Sequence, residues 1–189
     1  PKIWHFRTSP KALVALRAAG VDVVTMANNH AVDYGPLGLA DTLAARDGSP
    51  IPVVGIGRDA KDAFAPYVAD VRGTRIAFFG ATDLADYTSS RYPARASSPG
   101  VASVVSSRQR LLRAIRTWRT RADTVVVYLH GGVERLTCPT GRQVATARAL
   151  GRAGAAIVVT SHAHVLLGAG WEGRRFVSHG LGNFIWYTG

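Results

Sequence analysis

Four short stretches of the 189-residue chain hold side chains that could do chemistry. His162-Ala163-His164 sets two imidazoles on either side of one small residue, so that in an extended or tightly turned segment both nitrogens can approach a shared ion. Transition-metal ions take neutral imidazole nitrogen or carboxylate oxygen at ~2.0–2.2 Å, and histidine is the commonest such ligand. His130, after the apolar run TVVVYL, offers a third imidazole, and Asn29, after VDVVTMAN, offers an amide oxygen. Taken singly, each has a plainer explanation. Histidine pairs arise by chance on solvated loops, Asn28 and Asn29 can satisfy turn backbone through their own side chains, and His5 and His130 can be strand-end residues bonded to a carbonyl.

Taken jointly, the positions say more. Five of the six histidines (His30, His130, His162, His164, His179) stand where an apolar segment gives out. In open α/β sheets the carboxyl ends of the strands form the ligand crevice, so side chains placed there from different strands can converge. Other chemistries have weaker support. Ser161, His162 and Asp33 could make a nucleophilic triad, but there is no G-x-S-x-G elbow to expose the serine. GIGRDA lacks the dinucleotide pattern, and no phosphate-cradling G-x-x-x-x-G-K-[ST] loop occurs. Two-metal hydrolases hold their ions ~3.5–4 Å apart and commonly bridge them with an acidic residue. The nearby carboxylates here are Asp33, Asp83 and Glu134.

The elements that must position these residues alternate. Ser9 and Pro10 read as N-cap and first residue of a helix through KALVALRAA, ended by Gly20. VDVVTMA reads as a strand, Pro36 opens a helix closed near Gly48, and IPVVGIG is a further short strand. Two β segments flank Arg72-Gly73-Thr74, which predicts a hairpin. Residues 82–100, rich in Ser, Pro and Gly, read as loop. Then follow a helix near 103–121, a strand TVVVYLH, a helix RQVATARALGRAG, a strand AAIVVTS, and a last β pair, VLLGAGW and RRFVSHG, joined through Glu172-Gly173. This order predicts a layered α/β domain with a mixed sheet, one domain over residues 1–189 without repeat or linker.

Composition agrees with an α/β protein: 47% apolar residues and 20 glycines. No run approaches the roughly eighteen apolar residues of a membrane span. The opening PKIWHFRTSP has neither initiator methionine nor apolar signal core, so the chain reads as a segment of something longer. The lone Cys138 excludes an internal disulfide and a cysteine-based zinc cluster. The net charge of +11 comes from 23 Lys plus Arg against 12 Asp plus Glu, with only three lysines. That favours a polyanionic partner in principle, yet arginine enrichment can also follow genome composition, and nucleic acid is not expected. Arg110, Arg113, Arg116 and Arg119 form a stripe on the helix whose Leu111, Ile115 and Trp118 face a core; a solvated face explains them more simply than polymer binding does.

In order and spacing, ANNHAVDYGPLGLADTL, LHGGVERLTCPT, TSHAHVLLG and the closing HGLGNFIW resemble the poly-γ-glutamate capsule biosynthesis family, the CapA-like proteins, of the calcineurin-like metallophosphoesterase superfamily. The resemblance covers nearly the whole chain. It implies a metallophosphoesterase-like layered domain that here lacks its first strand. It implies divalent metal ions (Mn, Zn or Fe), two in the full-length protein, with Asn29, His130, His162 and His164 as ligands, His30 as proton donor to the leaving group and Glu134 as a second catalytic residue. The Gly-Asp and Asn-x-Glu metal motifs with which the family begins do not occur, so the resemblance implies an incomplete site in this segment. Gly131 also stands where an aromatic residue is usual, and Thr160 where glycine is usual. The implied substrate is a phosphoester or a γ-glutamyl polymer, handled outside the cytoplasm with membrane-associated capsule machinery. The other implied reading keeps the fold without catalysis, as a polyanion-binding or assembly component.

Overall fold

A computed structural model describes residues 2–184. In chain order the elements are α1 (Lys11–Ala18), β1 (Val24–Thr25), α2 (Gly35–Asp47), β2 (Val53–Val54), β3 (Ile56–Gly57), α3 (Ala60–Ala63), β4 (Tyr67–Val71), β5 (Thr74–Thr82), α4 (Tyr87–Arg91), β6 (Gly100–Val101), α5 (Val104–Trp118), β7 (Thr124–Gly131), α6 (Gly141–Ala153), β8 (Ile157–His162), β9 (Ala169–Glu172) and β10 (Arg175–Ser178). Contacts divide them into two units: Pro1–Tyr67 with Phe79–Arg108, and Val68–Phe78 with Gln109–Gly189. Six strands form a mixed sheet in the order β4-β5-β7-β8-β10-β9, with β7, β8 and β10 parallel and β9 antiparallel to β10. This is the layered α/β architecture expected from the alternation of elements.

In the first unit, α2 begins with proline in its first turn and ends at Gly48, as its sequence predicts. Its Leu39 and Leu43 pack with Ala31, Val32, Ile56 and Val101 into a buried cluster. The residues between Met26 and α2 are therefore pinned from one side by core packing. The strand predicted over 21–27 shrinks to β1, paired in parallel with β2, because Gly55 at φ 83° breaks the partner strand into β2 and β3. Helix α1 starts one residue later than predicted: Pro10 is its N-cap, and Ser9 Oγ accepts from Lys11 N at 3.3 Å. The predicted loop over 82–100 contains α4, a helix too short to show periodicity, started by Asp86, whose carboxylate accepts from Ser89 N at 2.9 Å.

In the second unit, Arg72 (φ 54°) and Gly73 (φ 80°) both occupy the left-handed region that a two-residue hairpin turn demands, which joins β4 to β5. Along β7 every second residue, from Val125 to Gly131, is buried, while Thr124, Val126, Tyr128 and His130 share the half-buried face. The register sets His130 opposite Ser161 and Gly131 opposite His162, and residues paired in this way lie on one face. Helix α6, which contacts β8, starts at a capping box: Thr140 Oγ1 accepts from Gln143 N, and Gln143 Oε1 accepts from Thr140 N. Within the helical run 104–118, Ser107 is non-helical (φ −146°, ψ 42°); beyond it Leu111 and Ile115 are buried, Trp118 half-buried, and Arg113, Arg116 and Arg119 exposed. Among the described residues no helix is long and apolar enough to cross a membrane.

Candidate metal centre

The parallel pairing of β7 with β8 explains the first cluster. Both strands end on histidine-bearing segments, and His130 Nδ1 lies 3.1 Å from Ser161 Oγ on the neighbouring strand. The ring centroids of His130 and His162 are 4.9 Å apart, and those of His162 and His164 5.9 Å apart. His162 (φ 90°) and His164 (φ 58°) both adopt left-handed backbone, which a non-glycine residue holds only when its surroundings over-determine it and which clusters at functional sites. The turn they form is what lets residues 162 and 164 project together.

Glu134 reaches this turn from the loop after β7. Arg135, itself at φ 60°, donates its backbone N–H to the carbonyl of Ala163 at 2.8 Å, which fastens the glutamate's loop to the residue between the two histidines. Gln143 braces the same loop from beneath. A Cβ on Gly132 (φ 104°) would lie 2.6 Å from Gln143 Nε2, so only glycine lets the loop pass; that amide also donates to the His179 carbonyl at 3.3 Å. One carboxylate oxygen of Glu134 and one nitrogen each of His162 and His164 all lie within 4.8 Å of one another. Glu134 Oε1 is 4.0 Å from His162 Nε2. Ligands on one tetrahedral ion stand about 3.4 Å apart when bonds are about 2.1 Å, and a glutamate side chain 60% exposed can rotate inward to close that difference. Two imidazoles and a carboxylate are the donor set of Zn-, Mn- or Fe-type ions, so these residues fit a metal.

A second cluster lies in the first unit and is built differently. Asn28 is a turn device: its Oδ1 accepts from His30 N at 2.8 Å. The Asn29 carbonyl accepts from the buried Thr88 hydroxyl at 2.6 Å. His30 Nδ1 donates to Asp33 Oδ2 at 2.7 Å, and the Asp33 side chain is fully buried. Asp33 also accepts from Lys2 Nζ at 2.6 Å and from Phe6 N at 2.9 Å, and the Phe6 ring stands edge-on to His30 at 4.6 Å. Burial pushes the Asp33 carboxyl up, but the Lys2 ammonium, the Phe6 N–H and His30 outweigh it and hold it below the usual carboxylate range. Such a carboxylate fixes the imidazole with its proton on Nδ1.

In the sequence Asp33 reads as the acid of a triad with Ser161 and His162, or as one of three carboxylates near enough to bridge metal ions. Ser161 instead pairs with His130, and Asp33 with His30, Lys2 and Phe6. The i, i+3 spacing of His30 and Asp33 was the available signal for that pair. Asp83 is buried, and His5 is exposed with its ring 6.1 Å from Tyr34. In the closing motif HGLGNFIW, Ile185 and Trp186 lie outside the described residues.

The charge is not spread evenly. The second unit has thirteen arginines, no lysine and four acidic residues, whereas the first has ten basic and eight acidic residues. The unit with the histidine turn therefore supplies most of the net charge.

A layered α/β chain with histidines and a carboxylate where parallel strands end belongs to the class of folds that host ligand chemistry at that edge. Over residues 1–188 the chain matches the family described as bacterial capsule synthesis protein PGA_cap, and it belongs to that family. It is 32% identical over 189 residues to the capsule biosynthesis protein CapA of Bacillus anthracis, covering 98% of this chain and 45% of that protein. It is 33% identical over 186 residues to the PGA biosynthesis protein CapA of Bacillus subtilis (strain 168), covering 98% and 48% respectively. The chain thus spans about half the length of these curated relatives. A crystal structure of a hypothetical protein from Thermus thermophilus shares the fold, with a TM-score of 0.58 and 22% identity over 93% of this chain and 59% of that one.

Proposed function

We propose that the chain serves capsule or poly-γ-glutamate biosynthesis as part of a metal-dependent hydrolase acting on a γ-glutamyl or phosphoester linkage. The observation that carries this reading is the convergence of Glu134, His162 and His164 on a left-handed turn tied together by backbone. Proteins hold ligands in strained backbone where the site, rather than the fold, needs it. His162, His164 and Glu134 would hold the ion, with His130 as a further ligand by family resemblance. Such an ion would supply Lewis acidity, lowering the pKa of water and polarising the scissile group. By the same resemblance His30 would donate a proton to the leaving group from Nε2, while Asp33 accepts from Nδ1 and holds the ring in that orientation. The thirteen arginines of the second unit suit an anionic polymer, and the proposed place of action is outside the cytoplasm with the capsule machinery.

A second reading is favoured by one observation: Glu134 is the single carboxylate of the described cluster, in a unit rich in arginine. Dinuclear sites need more negative charge, so a non-catalytic polyanion-handling component would retain this much and no more. Metal analysis of the purified chain, with and without the His162→Ala/His164→Ala double substitution, separates the two. Bound Mn, Zn or Fe that the double variant loses, together with release of phosphate or glutamate from model esters and γ-glutamyl peptides, supports the enzyme. Polyglutamate retention with no metal and no turnover would leave the second reading standing.

A further inference from the structure

We propose that Asn183 is a positioning residue that holds His164 with its proton on Nδ1, so that Nε2 is the nitrogen presented to a metal. The inference rests on the metal-binding reading above and gives the closing segment His179–Asn183 a task that its sequence alone does not reveal.

The segment after β10 is laced to the end of β8 and to the stretch beyond His164. His179 donates its N–H to the Gly168 carbonyl at 3.1 Å, Leu167 to that of Gly180 at 3.0 Å, and Leu181 to that of Thr160 at 3.0 Å. Such close lacing requires glycine: a Cβ on Gly180 would fall 2.8 Å from Leu167 Cγ. The path delivers Asn183 to the histidine turn, where its Oδ1 lies 2.7 Å from His164 Nδ1. An amide oxygen only accepts, so the imidazole nitrogen facing it carries the proton. The other nitrogen then keeps its lone pair for an ion. His164 needs such support more than an ordinary ligand does, because its φ of 58° is a conformation that local sterics disfavour. Removing an outer partner of this kind typically costs 10–100-fold in metal affinity.

The test compares the unsubstituted chain with Asn183→Ala and Asn183→Asp, using Zn²⁺ alone as the probe. Long-range ¹H–¹⁵N spectra of the metal-free imidazoles report which nitrogen holds the proton, and competition with a chromophoric chelator reports affinity. Expected are the Nδ1–H form of His164 in the parent and in Asn183→Asp, and loss of that preference in Asn183→Ala. Zn²⁺ affinity should fall about 10–100-fold in Asn183→Ala and stay within about threefold of the parent in Asn183→Asp. Because Asn183 is exposed, thermal midpoints should be unchanged. An Nε2–H form in the parent, or parental tautomer and affinity in Asn183→Ala, would overturn the proposal while leaving metal binding intact. Loss of the Nδ1–H form in Asn183→Asp also overturns it, since a carboxylate there can only accept and should hold the Nδ1 proton at least as well as the amide oxygen. A parent that binds no Zn²⁺ yet keeps the Nδ1–H form would remove the metal reading and leave Asn183's hold on the ring standing.

Discussion

The two histidine clusters solve the same problem, holding an imidazole in one orientation, by opposite means. His30 is held by a charge: the fully buried Asp33 carboxylate accepts from it, from Lys2 and from Phe6, so both of its oxygens are engaged inside the protein. His162 and His164 are held by backbone, in left-handed conformations fastened by the Arg135–Ala163 hydrogen bond, with a glutamate that stays in solvent. The first arrangement is electrostatically complete without a ligand. The second has donors but little charge, and it is the one that an ion could complete. The contrast teaches that an imidazole can be held by a buried charge or by its own backbone, and that the two devices leave different amounts of charge beside the ring.

Removing the central charge of the first cluster should give the largest effect. Asp33→Ala strands a mostly buried ammonium, a backbone N–H and an imidazole. Hydrogen bonds to charged groups contribute about 1.5–3 kcal/mol, and breaking a buried pair costs more than the pair itself is worth. A loss of about 2–3 kcal/mol is expected, which for a chain of this size lowers the thermal midpoint by about 4–12 °C. A shift below about 1 °C would erase the distinction drawn between the clusters. The same residue sets an acid limit. Its folded pKa lies below the ordinary 3.8, so the stability it adds is fully present above that value and is lost as pH falls through the folded pKa. Asp33→Asn should therefore flatten the decline of thermal midpoint with acidification below about pH 4, and an unaltered profile would show that another carboxylate sets it.

Within the second cluster the effect should be smaller and local. Gly132→Ala puts a methyl group against the Gln143 amide at a φ of 104°, a strain of about 1–3 kcal/mol that the loop relieves by moving. Zn²⁺ affinity should fall with little change in secondary structure by circular dichroism. Equal affinity would mean that Glu134 is not positioned by this loop.

The difference between the clusters also governs what could be read in advance. The His-x-His pair at a strand end, the Pro36 helix start and the Arg72-Gly73 turn are local, and local steric rules suffice for them. The hydrogen bond between His130 and Ser161 depends on the register of β7 against β8, which no spacing reveals. Asp33 receives its partners from Lys2 and Phe6, 31 and 27 residues away, in a stretch without regular structure. Its sequence neighbourhood reads as a helix entry, and it is one.

The smallest effect concerns the strand-end histidine that neither cluster uses. His179 sits at the end of β10 with its Nδ1 buried and without a hydrogen-bond partner, while its main chain is bonded to Gly168 and Gln143. Burial disfavours the charged ring and pulls its pKa below the ordinary 6.5; Glu172 opposes the shift and Arg148 adds to it. A histidine lowered in this way contributes stability that is complete above 6.5 and is lost as pH falls through the folded value. Its NMR titration, assigned with His179→Gln, should show a midpoint below 6.5, and a midpoint at or above 6.5 would refute the burial argument.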